Sequence, residues 1–208
     1  MKKGLKVCQI LLLVIIFLSS SLGLNYVYAA DVVATDKWGD NITWTLDSDG
    51  TLTITGDGDM YTEQTSVSPW NDYKDQVKNV VFNGKITSIS NRAFEKHTNL
   101  QSITLPDSIT EIGLRAFAEC PILETVVMPE NLVSIGMGAF YNCSKLKSIE
   151  LPERVMYINE YAFDGCTSLK EITVKSDLVS LYDTENVLPN TIETLYGYQY
   201  SGAYYYAR

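Results

Sequence analysis

Four side chains able to ligate metal or exchange disulfides stand in one column of this sequence, at equal intervals: His97, Cys120, Cys143 and Cys166. One histidine and three cysteines make a zinc-site inventory, but the inventory has to pass a distance test. If 23-residue units stack as neighbouring strands, rungs lie about 4.8 Å apart, which puts His97 and Cys166 about 14 Å from each other. Zinc bonds of about 2.0–2.3 Å cannot close a tetrahedron over that span. A disulfide between adjacent rungs is allowed by the usual Cα separations of about 4.4–6.8 Å, although three cysteines leave one unpaired. The reading that needs no partner is a buried column of small thiols filling a turn. No metal and no cofactor is implied.

Nucleophilic catalysis meets a similar obstacle. A serine or cysteine mechanism needs a base within about 3 Å of the nucleophile, and His97 is the sole histidine. Its place in the cysteine column assigns it to packing. Paired carboxylates can work without histidine, yet Asp107, Glu130, Glu153 and Asp177 fall on turns, with no apolar pocket implied to shift a pKa. Gly56-Asp57-Gly58-Asp59, with Asp47 and Asp49, lacks the Asp-x-Asp-x-Asp-Gly spacing and distant glutamate of a calcium cage, and reads as tight turns. The chain is expected not to be an enzyme.

The elements that position these residues repeat four times: 86–108, 109–131, 132–154 and 155–177 align without insertion or deletion. Ile89, Ala93, Phe94, Leu100, Ile103 and Leu105 open apolar columns that recur in every unit; Ile89, for instance, returns as Ile112, Ile135 and Ile158. Such self-similarity is the signature of a solenoid, in which a unit buries its apolar face only by stacking on its neighbours. Leu-x-x-Ile-x-Leu (100, 103, 105) fits a leucine-rich repeat strand. Pro106, Pro129 and Pro152 stop that strand because proline cannot donate to a ladder. Ile-x-x-Ile (109, 112) is a second extended run, and the stretch around Ala-Phe is predicted to be one helical turn that folds the coil back.

The unit Ile-x-x-Ile-Gly-x-x-Ala-Phe-x-x-Cys-x-x-Leu-x-x-Ile-x-Leu-Pro resembles the BspA-like leucine-rich repeat family of bacterial surface and secreted proteins. The resemblance is close over 77–177 and looser in the flanks. It implies a cell-surface or secreted binding role, such as adhesion to host matrix proteins, host cells or other bacteria, and a structural role for the cysteine column. The expected fold is an α/β repeat solenoid, β-rich: a right-handed leucine-rich repeat coil of 23-residue units with an N-terminal β-hairpin cap and a C-terminal cap.

Four segments follow. Residues 1–30 read as a secretory signal peptide: Lys2, Lys3 and Lys6, the apolar run Ile10 to Leu18, then Val27-Tyr28-Ala29 as cleavage site. The continuous apolar run from Ile10 to Leu18 is too short to span about 30 Å of hydrocarbon, so no membrane insertion is expected after cleavage. Cys8 precedes the apolar run and is not placed for lipidation. Residues 31–76 form the N-terminal cap, a β-hairpin (41–46 and 51–55 around Asp47-Ser48-Asp49-Gly50) followed by a short helix-like run from Ser68-Pro69-Trp70. Residues 77–177 are the leucine-rich repeats, with 77–85 as an added strand. Residues 178–208 are the C-terminal cap, with a strand near 191–196; the family's ending continues further, so this one reads as cut short. Leu188-Pro189-Asn190-Thr191 resembles the start of a sortase motif, with Ile192 where glycine belongs.

Removal of the leader takes three lysines and leaves 13 basic against 25 acidic residues, a net of −12. That balance argues against nucleic acid and anionic membranes, whose binding rests on Lys and Arg. It also keeps an exported protein soluble. Outward positions of the repeat strand then supply the candidate binding face: Ser102, Thr104, Glu124, Thr125, Val127, Lys147, Ser148, Glu150, Lys170, Glu171 and Thr173. They would tile a shallow polar platform for a protein ligand, without the Trp, Tyr and Arg anchors of binding hot spots. The alternatives are a glycan or cell-wall module working through the tyrosine-rich tail 196–206, and a structural spacer from a larger surface protein.

Overall fold

A computed structural model of the chain describes residues 30–38, 41–60, 67–176, 180–181, 187–189 and 191–197. The proposed leader up to residue 29 and the tyrosine-rich tail from 198 lie outside them.

The N-terminal strands are β1 (Val32–Trp38), β2 (Ile42–Asp47), β3 (Thr51–Gly56) and β4 (Gly58–Asp59). β1, β2 and β3 form an antiparallel meander, with Trp44 opposite Ile54 in the β2–β3 hairpin. Asp47 closes the hairpin turn: its Oδ1 accepts from the backbone N–H groups of Asp49 at 3.0 Å and Thr51 at 2.8 Å. Gly50 at φ +87° supplies the left-handed step.

From β3 onward every pairing is parallel. β5 (Asn79–Asn83) joins β3 with Leu52 opposite Val80. β6 (Ile86–Ile89), β8 (Glu111–Ile112), β10 (Ser134–Ile135), β12 (Tyr157–Ile158) and β14 (Ser180–Leu181) continue the line begun by β4. The interleaved strands β7 (Ser102–Thr104), β9 (Thr125–Val127), β11 (Ser148–Leu151), β13 (Glu171–Val174) and β15 (Thr194–Gly197) line a second face. Within the repeats, partners are equivalent positions of successive units, as in Ser134 with Tyr157 and Ile149 with Ile172. The expected alternation is observed: Ile103, Val126, Ile149 and Ile172 point in, and their neighbours point out.

The Ala-Phe segments are not helical, and the α component of the expected fold is corrected here. Residues 91–96 and their equivalents are successive turns. Alternate amides bond within the rung (Ala93 N to Ser90 O, Glu95 N to Arg92 O) and to the next rung (Arg92 N to Leu114 O, Phe94 N to Ala116 O, Lys96 N to Ala118 O). An α-helix would direct every N–H along its own axis and leave the stack unbonded on this edge. The reversal of alternate amides requires left-handed residues. Arg92, Arg115, Gly138 and Tyr161 have φ between +51° and +59°, and Lys96, Glu119, Asn142 and Gly165 between +58° and +74°. A short 3-10 segment, Asn71–Tyr73, occupies the helix-like run expected after Trp70.

One apolar core runs the length of the stack, from Trp38 to Leu188. Its spine is Phe94, Phe117, Phe140 and Phe163, with ring centroids 5.2, 5.3 and 5.4 Å apart and planes within 6° of parallel. Each such pair adds about 0.5–1.5 kcal/mol beyond the area it buries. Trp70 ends the spine, 5.7 Å from Phe94, and its Nε1–H donates to Ala93 O at 2.8 Å. Trp38 and Trp44 meet Trp70 edge-on.

Candidate functional site

The cysteine column is structural in its contacts. Cys120, Cys143 and Cys166 are free thiols, fully buried. Each Sγ donates at 3.1 Å to a phenylalanine carbonyl of the preceding rung: Phe94, Phe117 and Phe140. Burial pushes the Cys120 thiol up to about 12, and burial, then the Cys166 thiol, raises Cys143. A thiolate is the reactive form, so Cys120 and Cys143 are chemically quiet. His97 is buried in the same column, its ring edge-on to Phe94 at 5.4 Å. Nδ1 lies 3.2 Å from Glu95 O, and Nε2 has no hydrogen-bond partner among the described residues. Burial lowers its pKa from 6.5 to about 4, which keeps the ring neutral.

Two of the aspartates that suggested a cation are engaged in hydrogen bonds to the segment 85–87. Asp57 Oδ1 accepts from the N–H of Lys85, and Asp59 Oδ1 from the hydroxyl of Thr87. Gly58–Asp59, expected as a tight turn, is instead β4, paired with β6. Among the described residues no group of three or more His, Cys, Asp or Glu is placed to hold a metal ion.

What the strands do present is a ribbed face. Ser102, Thr125, Ser148 and Glu171 are exposed in one line across β7, β9, β11 and β13. Thr104, Val127, Glu150 and Thr173 form the next line, with Val127 half exposed. Just before the strands, Glu124, Lys147 and Lys170 form a third. Its charges are paired across rungs: Lys147 Nζ lies 2.6 Å from Glu124 Oε2, Lys170 meets Glu193, and Lys175 meets Glu150. Lys147 accordingly holds the Glu124 carboxyl below its usual range, and Glu150 raises Lys175. The face is therefore polar, with most of its charges paired and Glu171 outside those pairs. All eleven residues expected on it lie on or beside these strands, and none points into the core.

An open hollow of about 410 Å³ adjoins the start of this face, lined by Lys78, Asn79, Asn99, Gln101 and Ser102. Lys78, Asn79 and Asn99 are not among the residues expected from the sequence. The column rule places two of them, because Lys78 and Asn79 stand one repeat before Gln101 and Ser102.

The pattern described as the BspA type leucine rich repeat region matches residues 72–201 in six copies. The chain belongs to this family. Leucine-rich repeat proteins of this kind are generally non-enzymatic protein-interaction or surface modules. Among solved structures, a leucine-rich repeat protein from Eubacterium ventriosum is 23% identical with a TM-score of 0.56, over 80% of this chain and 56% of that one. A leucine rich cell surface protein from Faecalibacterium prausnitzii is 21% identical with a TM-score of 0.51, over 81% of this chain and 41% of that one. At these identities the likeness is one of fold. The chain spans about half the length of these structures (56% and 41%). No curated protein matches it. Among the described residues no helix is long and apolar enough to cross a membrane.

Proposed function

We propose that this BspA-type repeat protein is exported and binds a protein ligand through its strand face, in adhesion to host matrix, host cells or neighbouring bacteria. In this reading a right-handed coil of 23-residue units is closed by residues 31–76 at one end and 178–208 at the other. The right-handed hand follows the general rule for parallel crossovers. The observation that carries the proposal is the face itself. Strands about 4.8 Å apart make an open strip whose exposed hydroxyls and mostly paired charges suit an extended protein contact more than an enclosed small-molecule site. The packing of Trp38 and Trp44 on Trp70, at the end of the phenylalanine spine, supports an end-closing role for 31–76. The leader-like start supports export, and the Faecalibacterium prausnitzii neighbour described as a cell surface protein is in keeping with it.

A binding panel tests the proposal. The purified protein is measured against matrix proteins, host-cell surfaces, mucin glycans and peptidoglycan. Saturable binding to a protein target that weakens on Lys147→Glu or Glu150→Lys supports the strand face. Binding confined to glycans, and lost with the tyrosine-rich tail, refutes it, and silence across the panel favours a structural spacer.

A further inference from the structure

The strand face is not where this chain keeps its aromatic and cationic anchors. We propose that the turn edge carries a second docking site, for a lysine- or arginine-bearing segment of a partner protein. This site is separate from the strand face and does not rest on that reading.

An open cleft of about 290 Å³ on this edge is lined by Leu114, Arg115, Met137, Gly138, Tyr141, Tyr161 and Asp164. Its origin is a missing side chain. Arg115, Gly138 and Tyr161 occupy one column of successive rungs, all at φ near +55°, so the glycine leaves a notch between an arginine and a tyrosine. Tyr161 and Met137 are 40% and 48% exposed beside it. Tyrosine in the left-handed region costs about 1 kcal/mol relative to glycine, which the buried part of the Tyr161 ring offsets while the rest stays exposed at the rim of the notch. Tyr, Arg and Met are also the residues enriched in protein contacts.

Charge identifies the occupant. Arg115 is already committed, 2.8 Å from Glu95 Oε1 and 2.6 Å from Glu119 Oε1, with its guanidinium 5.3 Å from the Tyr141 ring centroid. The Asp164 carboxylate has no ion pair or side-chain hydrogen bond among the described residues. Arg92 and Lys96 share the Glu95 and Glu119 carboxylates, so among the charged groups lining the cleft it is Asp164 that stands without a partner among the described residues, on a chain with 25 acidic and 16 basic residues. Two tyrosine rings flank it, and Tyr141 shows that a ring here accepts a cation. A lysine or arginine side chain laid over Tyr161 with its charge on Asp164 satisfies both groups.

The test uses the full protein and fluorescein-labelled hexa-arginine, read by fluorescence anisotropy at low salt. Asp164→Asn removes the charge. Gly138→Arg fills the notch at a φ that Arg115 already tolerates, so the variant folds. Binding is expected to be saturable, weakened about fivefold by Asp164→Asn and about tenfold by Gly138→Arg. Glu153→Gln, an exposed acid on another turn, should change it less than twofold. Tyr161→Gly should weaken binding, because it removes the exposed ring on which the cation lies. Equal weakening by Glu153→Gln would assign the binding to diffuse charge and overturn the proposal. So would affinity untouched by Gly138→Arg, preference for an N-acetylglucosamine oligomer over the peptide, or self-association abolished by Gly138→Arg.

Discussion

Protonation of His97 should destabilise the fold, and the size of the effect follows from its surroundings. The ring is fully buried against Phe94, and burial is the largest cause of its lowered pKa. The backbone carbonyls of Glu95 and Phe94 and the charge of Asp75 oppose the shift, and Lys74 adds to it. In the unfolded chain the imidazole takes a proton near 6.5; in the folded chain it does so only near 4. Between those values the unfolded state binds more protons, so stability falls as pH falls. It is complete above about 6.5, declines by up to about 1.4 kcal/mol per pH unit, and levels off below about 4. The full loss is about 3 kcal/mol. Carboxylates titrate near the lower end as well, so the measurement is a difference. Urea unfolding, followed by tryptophan fluorescence at a series of pH values, is compared for the natural protein and His97→Cys, which extends the thiol column by one rung. Whatever packing the substitution costs is independent of pH and shifts the two curves apart by a constant. The natural protein should lose about 3 kcal/mol more than the variant on going from neutral pH to about 4. Parallel curves would refute the reasoning, because they would mean that the imidazole is as readily protonated folded as unfolded.

Other substitutions probe the stack directly. Phe117→Ala removes the ring that touches both Phe94 and Phe140 and should cost about 3–5 kcal/mol in chemical unfolding. Gly136→Ala would set a Cβ 2.6 Å from the Gly113 carbonyl carbon; that carbon is backbone of the adjacent rung and cannot swing aside, so a loss of about 2 kcal/mol or more is expected as a fall in Tm. Cys120, Cys143 and Cys166 should resist a thiol reagent in the native protein and react at the rate of unfolding, since burial raises the pKa of Cys120 and Cys143.

Much of the fold is legible in the sequence because each apolar column is one core position written several times. Ile103, Val126, Ile149 and Ile172 are interchangeable because they meet the same neighbours, one rung on. The outward lines of the strand face follow from the same register. The turn edge reads as helical because its left-handed positions are filled mostly by Arg, Lys, Glu, Asn and Tyr rather than glycine. Nothing in those residue types flags reversed amides. β1 has no sequence signal because most of Val32–Trp38 is exposed, which leaves no burial pattern to detect. β4 is hidden in Gly56-Asp57-Gly58-Asp59, whose composition signals a turn, yet Gly58 pairs with Ile86 across the whole first cap-to-repeat connection. The Tyr161 and Arg115 cleft is equally silent, because its notch depends on the left-handed backbone that the residue types conceal.

The central claim, that the strand face binds a protein, is tested most directly at its middle. Ser148 is exposed at the centre of the outward line of β7, β9, β11 and β13, so Ser148→Arg places a long side chain on the face without entering the core. With the protein target found in the binding panel, the account predicts at least about a tenfold loss of affinity, worth about 1.4 kcal/mol, with Tm unchanged. Unaltered affinity for that target would contradict it.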